Sequence, residues 1–153
     1  MINYVTRRLG AEDLSAFRFI AEVHESLPAA WVDDYVVEPK EVEKTVERLI
    51  DKHSSGRIAC FIAEHGSEII AFIWAEVHEQ DESALSIFSL WTKPQYRGQG
   101  IATTLKHILE DWARTETNSK KIITTVSASN TKMVMLNQKL GYRIMYHKMT
   151  KDL

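Results

Sequence analysis

The chain has 153 residues, 44% hydrophobic and 26% charged, a composition that folds around one core and is too apolar for a disordered chain. Its formal net charge of −2 argues against a nucleic-acid partner, which calls for a strongly basic face. Its lone cysteine, Cys60, excludes an internal disulfide, and no Cys/His cluster has metal-ligand spacing, so no metal is expected.

Ile2 to Leu9 reads as a first strand. Leu14, Phe17, Ile20 and Ala21 form a helical stripe over Ala11 to Glu25, ended by Leu27-Pro28. Pro28 to Glu38 is irregular and mixes Trp31, Asp33, Asp34 and Tyr35. Pro39 then opens a second helix with Val42, Val46, Leu49 and Ile50 on one face. Arg57 to Glu64 and Glu68 to His78 are β-branched and aromatic runs joined by His65-Gly66-Ser67, a hairpin signal. Cys60 lies in the first run, as a small buried hydrophobe.

A second hairpin through Gln80 to Ser83 leads into Ala84 to Thr92. A helix follows from about Gln99 to Thr115, with Ile101, Leu105, Ile108, Leu109 and Trp112 at core spacing. Lys121 to Ser127 reads as a strand, Thr131 to Leu140 as a helix and Tyr142 to Thr150 as a last strand. The expected fold is α/β (α+β), in the order β-α-α-β-β-β-α-β-α-β. Its sheet is mixed but mostly antiparallel, with helices on both faces, and one domain spans 1–153. No apolar run has the length of a bilayer span and no leader is visible, so a cytoplasmic protein off the membrane is expected.

The most informative segment is Gln95-Tyr96-Arg97-Gly98-Gln99-Gly100-Ile101-Ala102, between a strand and a helix. Two glycines let the chain turn tightly and turn backbone N–H groups outward. The helix that follows adds unpaired N–H groups and the positive end of its dipole, and Arg97 adds a charge. Such a loop suits a diphosphate. A dinucleotide fingerprint is excluded by the missing third glycine, and a P-loop by the absence of Gly-Lys-Ser/Thr.

At these residues the chain resembles the GCN5-related N-acetyltransferase (GNAT) superfamily, whose signature Arg/Gln-x-x-Gly-x-Gly/Ala is matched by Gln95, Gly98 and Gly100. A second block fits where Asn130 precedes a helix ending Lys139-Leu140-Gly141-Tyr142. The resemblance implies acetyl-coenzyme A as co-substrate and an N-acetyltransferase acting on an amine by direct attack in a ternary complex. The amine would belong to a small molecule, a peptide or a protein. It further implies that Leu90, Trp91 and Thr92 flank the pantetheine arm, that Gln95 to Ala102 wrap the diphosphate, and that Asn130 and Asn137 approach the arm from the last helix. Trp91 also suits the core, and Asn130 also suits a helix N-cap.

The resemblance leaves the acid and base open. Ala84 to Thr92 holds neither the Glu nor the His that many relatives place there. Phe72, Trp74, Glu76 and His78 share one face of the preceding strand by period-2 alternation, so Glu76 is the candidate base, with a partly solvated strand-end carboxylate as its alternative. Asn137 stands where many relatives carry an acidic Tyr and has no proton to give up. Tyr146 is a substitute. The resemblance also implies that the loop between the first two helices borders the acceptor, so Trp31, Asp34 and Trp74 are candidates there through charge and cation–π contact, with a plain solvated loop as the alternative for Trp31 and Asp34. A homodimer is common for the fold. The alternative function is an acyl-CoA-binding sensor that does not turn over.

Overall fold

In the computed structural model, which describes residues 1–153, two helices meet one face of a five-stranded sheet and a third helix meets the other. The strands are β1 (Val5–Arg8), β2 (Ile58–His65), β3 (Glu68–Val77), β4 (Ala84–Thr92) and β5 (Lys121–Thr124). The helices are α1 (Leu14–Ser26), α2 (Pro39–Ser54), α3 (Ile101–Glu116) and α4 (Thr131–Lys139). The strands lie side by side in sequence order. The first four pair antiparallel, and β5 runs parallel to β4.

Alternation along β2 and β3 builds two cores, because both strands are apolar on both faces. Cys60, Ile62, Phe72 and Trp74 meet Phe17 and Ile20 of α1 and Val46 and Leu49 of α2. Ala59, Phe61, Ala71 and Ile73 meet Ile101, Leu105, Leu109 and Trp112 of α3. Fully burying each of the large side chains contributes roughly 1.5–3 kcal/mol. Burial also pushes the Cys60 thiol well above its usual range, which fits a structural role.

Two irregularities position the site. Trp74 of β3 pairs with Ser89, but Ala75 pairs with Ile87, so Phe88 is an extra residue that bulges β4. Beside it the β4–β5 ladder runs only from Ala84 to Ile87. The two strands separate beyond that point.

One expected element is absent. Tyr142 to Thr150 forms no strand, and β5 ends at Thr124 rather than Ser127. The Tyr142 N–H closes onto the Asn137 carbonyl at 2.9 Å, and the chain then leaves the sheet. Ile144, Met145, Tyr146 and Met149 are exposed, and residues 143–153 make no hydrogen bond to the rest of the protein. The alternation in this segment is strand-like, but alternation alone does not fix pairing, and the segment joins neither the outer edge of β5 nor the stretch of β4 beyond Ile87.

Candidate active site at the opening between the fourth and fifth strands

The glycine loop is shaped by local chemistry. After β4, Lys93 donates its N–H to the Ile70 carbonyl at 2.8 Å, and Pro94–Tyr96 forms one 3₁₀ turn. Gly98 (φ +74°) and Gly100 (φ +80°) occupy the left-handed region, which a side chain makes costly. This geometry leaves the backbone N–H groups of six consecutive residues, Gly98 to Thr103, with no acceptor in the protein; the next, Thr104, bonds Gly100 at 3.0 Å. A Cβ placed on Gly98 or Gly100 would meet nothing within 4 Å. The space before these amides is open, as an anion-binding turn at a helix N-terminus requires.

The side chains of the loop divide into two sets. Ile101 is buried in the α3-side core and Tyr96 packs against it. Gln99 accepts from the Ile2 N–H at 3.2 Å, tying down the N-terminal segment. Gln95 and Arg97 are exposed, and the Arg97 Nε donates to the Thr92 carbonyl at 2.9 Å, which leaves its terminal N–H groups free to meet an anion. Ala102 is half-buried on the first turn of α3.

Where β4 and β5 part, a cavity of about 270 Å³ is lined by Ser86, Ile87, Phe88, Ile123 and Thr125. Leu90, Trp91 and Thr92 lie on the stretch of β4 that has no β5 partner. The Trp91 ring stacks on Phe72 at 5.8 Å and meets Phe19 edge-on at 5.7 Å. Its half-buried side chain packs against the α1/α2-side core. Asn130 caps α4, accepting from the Met133 N–H at 3.3 Å. Asn137 is buried, and its Oδ1 has no hydrogen-bond partner. The same holds for Ser89 Oγ beside the bulge and for Trp74 Nε1. Buried polar atoms without partners are rare in folded proteins and point to a missing ligand or water.

The α1/α2 face of the opening carries an aromatic and charged cluster. Trp74 is buried and stacks on Phe88 at 5.3 Å. The Arg48 guanidinium lies 4.6 Å from the Phe88 ring centroid and grips Glu76 with two bonds, at 2.9 and 2.7 Å. Glu76 is buried and holds the Arg48 guanidinium above its ordinary pKa. Both oxygens of the candidate base are thus engaged, and its burial also departs from the partly solvated strand-end carboxylate of the alternative reading. His24 meets Trp74 edge-on at 5.0 Å, and burial keeps its imidazole below the usual range and neutral.

His78, the last residue of the alternating face, points its Nε2 at Ser86 Oγ, 2.5 Å away. Arg48, Phe88 and Ser86 were not legible as site residues. Their signal is the bulge, which follows from pairing rather than composition. By contrast, Trp31 and Tyr146 are exposed, and Asp34 (φ +55°) is exposed on its loop. None of the three forms a side-chain hydrogen bond, ion pair or ring contact with the cluster.

Two further groups meet behind the opening. Lys106 of α3 is 1% exposed, and its Nζ lies 4.6 Å from the Tyr142 ring centroid. Burial lowers the amine to about 8 and raises the Tyr142 phenol to about 12. A lysine on the buried side of an amphipathic helix has no place in the hydrophobic pattern and was missed for that reason.

Comparison with known proteins agrees with this geometry. The family model described as "Acetyltransferase (GNAT) family" matches residues 20–142. A Staphylococcus aureus subsp. aureus protein assigned to the GNAT acetyltransferases is 31% identical, covering 78% of this chain and 98% of its own, with a TM-score of 0.70. A Clostridium acetobutylicum protein assigned as an acetyltransferase and solved with acetyl-CoA is 18% identical over 98% and 96% of the two chains, at a TM-score of 0.75. AAC(6')-Iy, solved with a bisubstrate analogue of CoA and acetylneamine, is 16% identical over 97% and 99%, at 0.68. A search among curated proteins finds no match. With its signature loop holding six free amides beside a split in the sheet, the chain belongs to the GNAT acetyltransferase family.

Proposed function

We propose that the protein transfers the acetyl group of acetyl-CoA to a primary amine held on the α1/α2 face of the opening, by direct attack. The observation that carries this reading is the run of free amides from Gly98 to Thr103, continuous with the unpaired stretch of β4 from Phe88 to Thr92. The amides and Arg97 would hold the diphosphate, with Gln95 at the loop's entry. The free edge of β4 at Leu90, Trp91 and Thr92 would take the pantetheine amides as a strand takes a neighbour. Asn137 Oδ1 would accept an N–H from the same arm, while Asn130 serves α4 as its cap.

Acetyl-CoA supplies an activated acyl group, so the protein's main tasks are orientation and proton handling. An amine of pKa about 10.4 is only ~0.04% neutral at pH 7, a cost of roughly 4–5 kcal/mol that a base offsets. The cluster of Trp74, Phe88 and Arg48 gives the acceptor side a flat aromatic wall. It suits an amine presented on a ring or a short chain, of a small molecule or a peptide. Trp31 and Asp34, exposed on the loop between α1 and α2, would meet the outer part of such an acceptor.

Calorimetry with coenzyme A, followed by thiol release from acetyl-CoA with neamine, spermidine and a lysine peptide, tests the reading. Binding with turnover on at least one amine is expected. Binding without turnover on any would favour a sensor that holds acyl-CoA, a reading supported by Asn137 at the acid position and by the engaged carboxylate of Glu76.

A further inference from the structure

We infer that Ser86 and His78 form the proton relay that deprotonates the acceptor amine, Ser86 as the contacting hydroxyl and His78 as the terminal base. The inference rests on the amine-acetylation reading above. Ser86 lines the cavity where β4 and β5 part, and its partner in β3 is Glu76. It therefore projects to the face that carries Trp74, Phe88 and Arg48, the face from which the acceptor approaches. His78 Nε2 stands 2.5 Å from Ser86 Oγ. Its backbone is fixed on both sides, since its N–H donates to the Ala84 carbonyl at 3.0 Å and its carbonyl accepts from Arg57 Nη2 at 2.5 Å.

The geometry separates this pair from Glu76. That carboxylate is buried behind Trp74 and saturated by Arg48, whereas His78 is half-buried and can pass a proton on to solvent. Imidazole is also the side chain that exchanges protons near neutral pH. The charged groups around His78 are Arg57 at its carbonyl, Asp81 across the β3–β4 turn, and Glu82, which Arg57 contacts at 3.4 Å. Glu79 beside it is held by Lys52.

In the relay, the ammonium gives its first proton to Ser86 Oγ while the hydroxyl gives its own to His78 Nε2, which releases it to solvent. As the C–N bond forms and the C–S bond breaks, the nitrogen loses a second proton, and the departing thiolate takes up one. Net, one proton reaches solvent.

The test measures thiol release from acetyl-CoA against pH, with neamine, spermidine and a lysine peptide as acceptors. The proteins are the wild type, His78→Gln, Ser86→Ala, Ser86→Thr and, as a control on the exposed face of α3, His107→Gln. His78→Gln keeps a hydrogen-bonding group near Ser86 without a titrating one. It should lower kcat/KM by ~10²-fold or more and abolish the rise in rate with pH, with coenzyme A affinity unchanged by calorimetry. Ser86→Ala should fall ~10-fold or more, and Ser86→Thr, which keeps the hydroxyl, should restore most of it. A His78→Gln enzyme that keeps the wild-type rise in rate, or a Ser86→Ala enzyme of wild-type rate, would overturn the relay and leave acetyl transfer standing. Wild-type protein that binds coenzyme A and acetylates none of the three amines would overturn both.

Discussion

Replacing Lys106 with methionine should make the protein more stable at neutral pH, although it removes a native cation–π pair. The residue is 1% exposed, with the Tyr142 ring against its amine and Glu110 one turn away as an opposite charge. Burial lowers it to about 8 from the ordinary lysine value of 10.5. A gap of that size corresponds to about 3 kcal/mol of destabilisation whenever the amine is charged. The attraction between the ammonium and the ring, which methionine cannot make, is worth about 0.5–2 kcal/mol, and methionine fills a similar volume. The net gain is about 1–3 kcal/mol, or about 3–10 °C in Tm for a chain of this length.

The sign of the pH dependence is the stronger test. Because the native pKa lies below the unfolded one, the unfolded chain holds more protons between the two values, and wild-type stability should rise from about pH 8 to about pH 10. Tyr142, raised to about 12, works the other way only where the unfolded phenol ionises, above about pH 10. Urea denaturation across that window should show the wild-type curve climbing and the Lys106→Met curve flat. A variant no more stable than wild type at pH 7, together with a flat wild-type curve, would refute the reasoning.

Other outcomes follow from the site. Gly100→Val forces a β-branched residue to φ +80°, at a cost of about 1–3 kcal/mol, and sets a side chain before the free amides; calorimetry should show coenzyme A affinity falling ~100-fold or more. Glu76→Gln breaks the paired bonds to Arg48 and should lower stability by about 1–3 kcal/mol, measured by thermal unfolding, while the pH–rate rise survives. Asn130→Ala should cost about 1 kcal/mol through loss of the α4 cap, with coenzyme A affinity changed less than by Gly100→Val. Deleting residues 143–153, which form no hydrogen bonds, should leave Tm within ~1 °C; a larger drop would mean that the segment pairs in solution.

Much of this was written locally. Alternation along residues 58–77 and the stripe at Ile101, Leu105, Leu109 and Trp112 specify which side of each element is buried, because period 2 and period 3.6 place side chains before any tertiary contact exists. The loop from Gln95 to Ala102 was legible locally too: two glycines before a helix predict a tight turn with outward backbone N–H groups. Pairing decided the rest. Alternation in Tyr142 to Thr150 predicts a strand, but the segment pairs with neither the outer edge of β5 nor the open stretch of β4 and stays exposed. The bulge at Phe88, the parting of β4 from β5 and the meeting of His78 with Ser86 depend on how separate strands align, and no single strand records its neighbour's register. Glu76 and Lys106 show the limit most clearly. Their side chains would suit catalysis or solvent equally, and only the tertiary fold brought an arginine to one and a buried aromatic ring to the other.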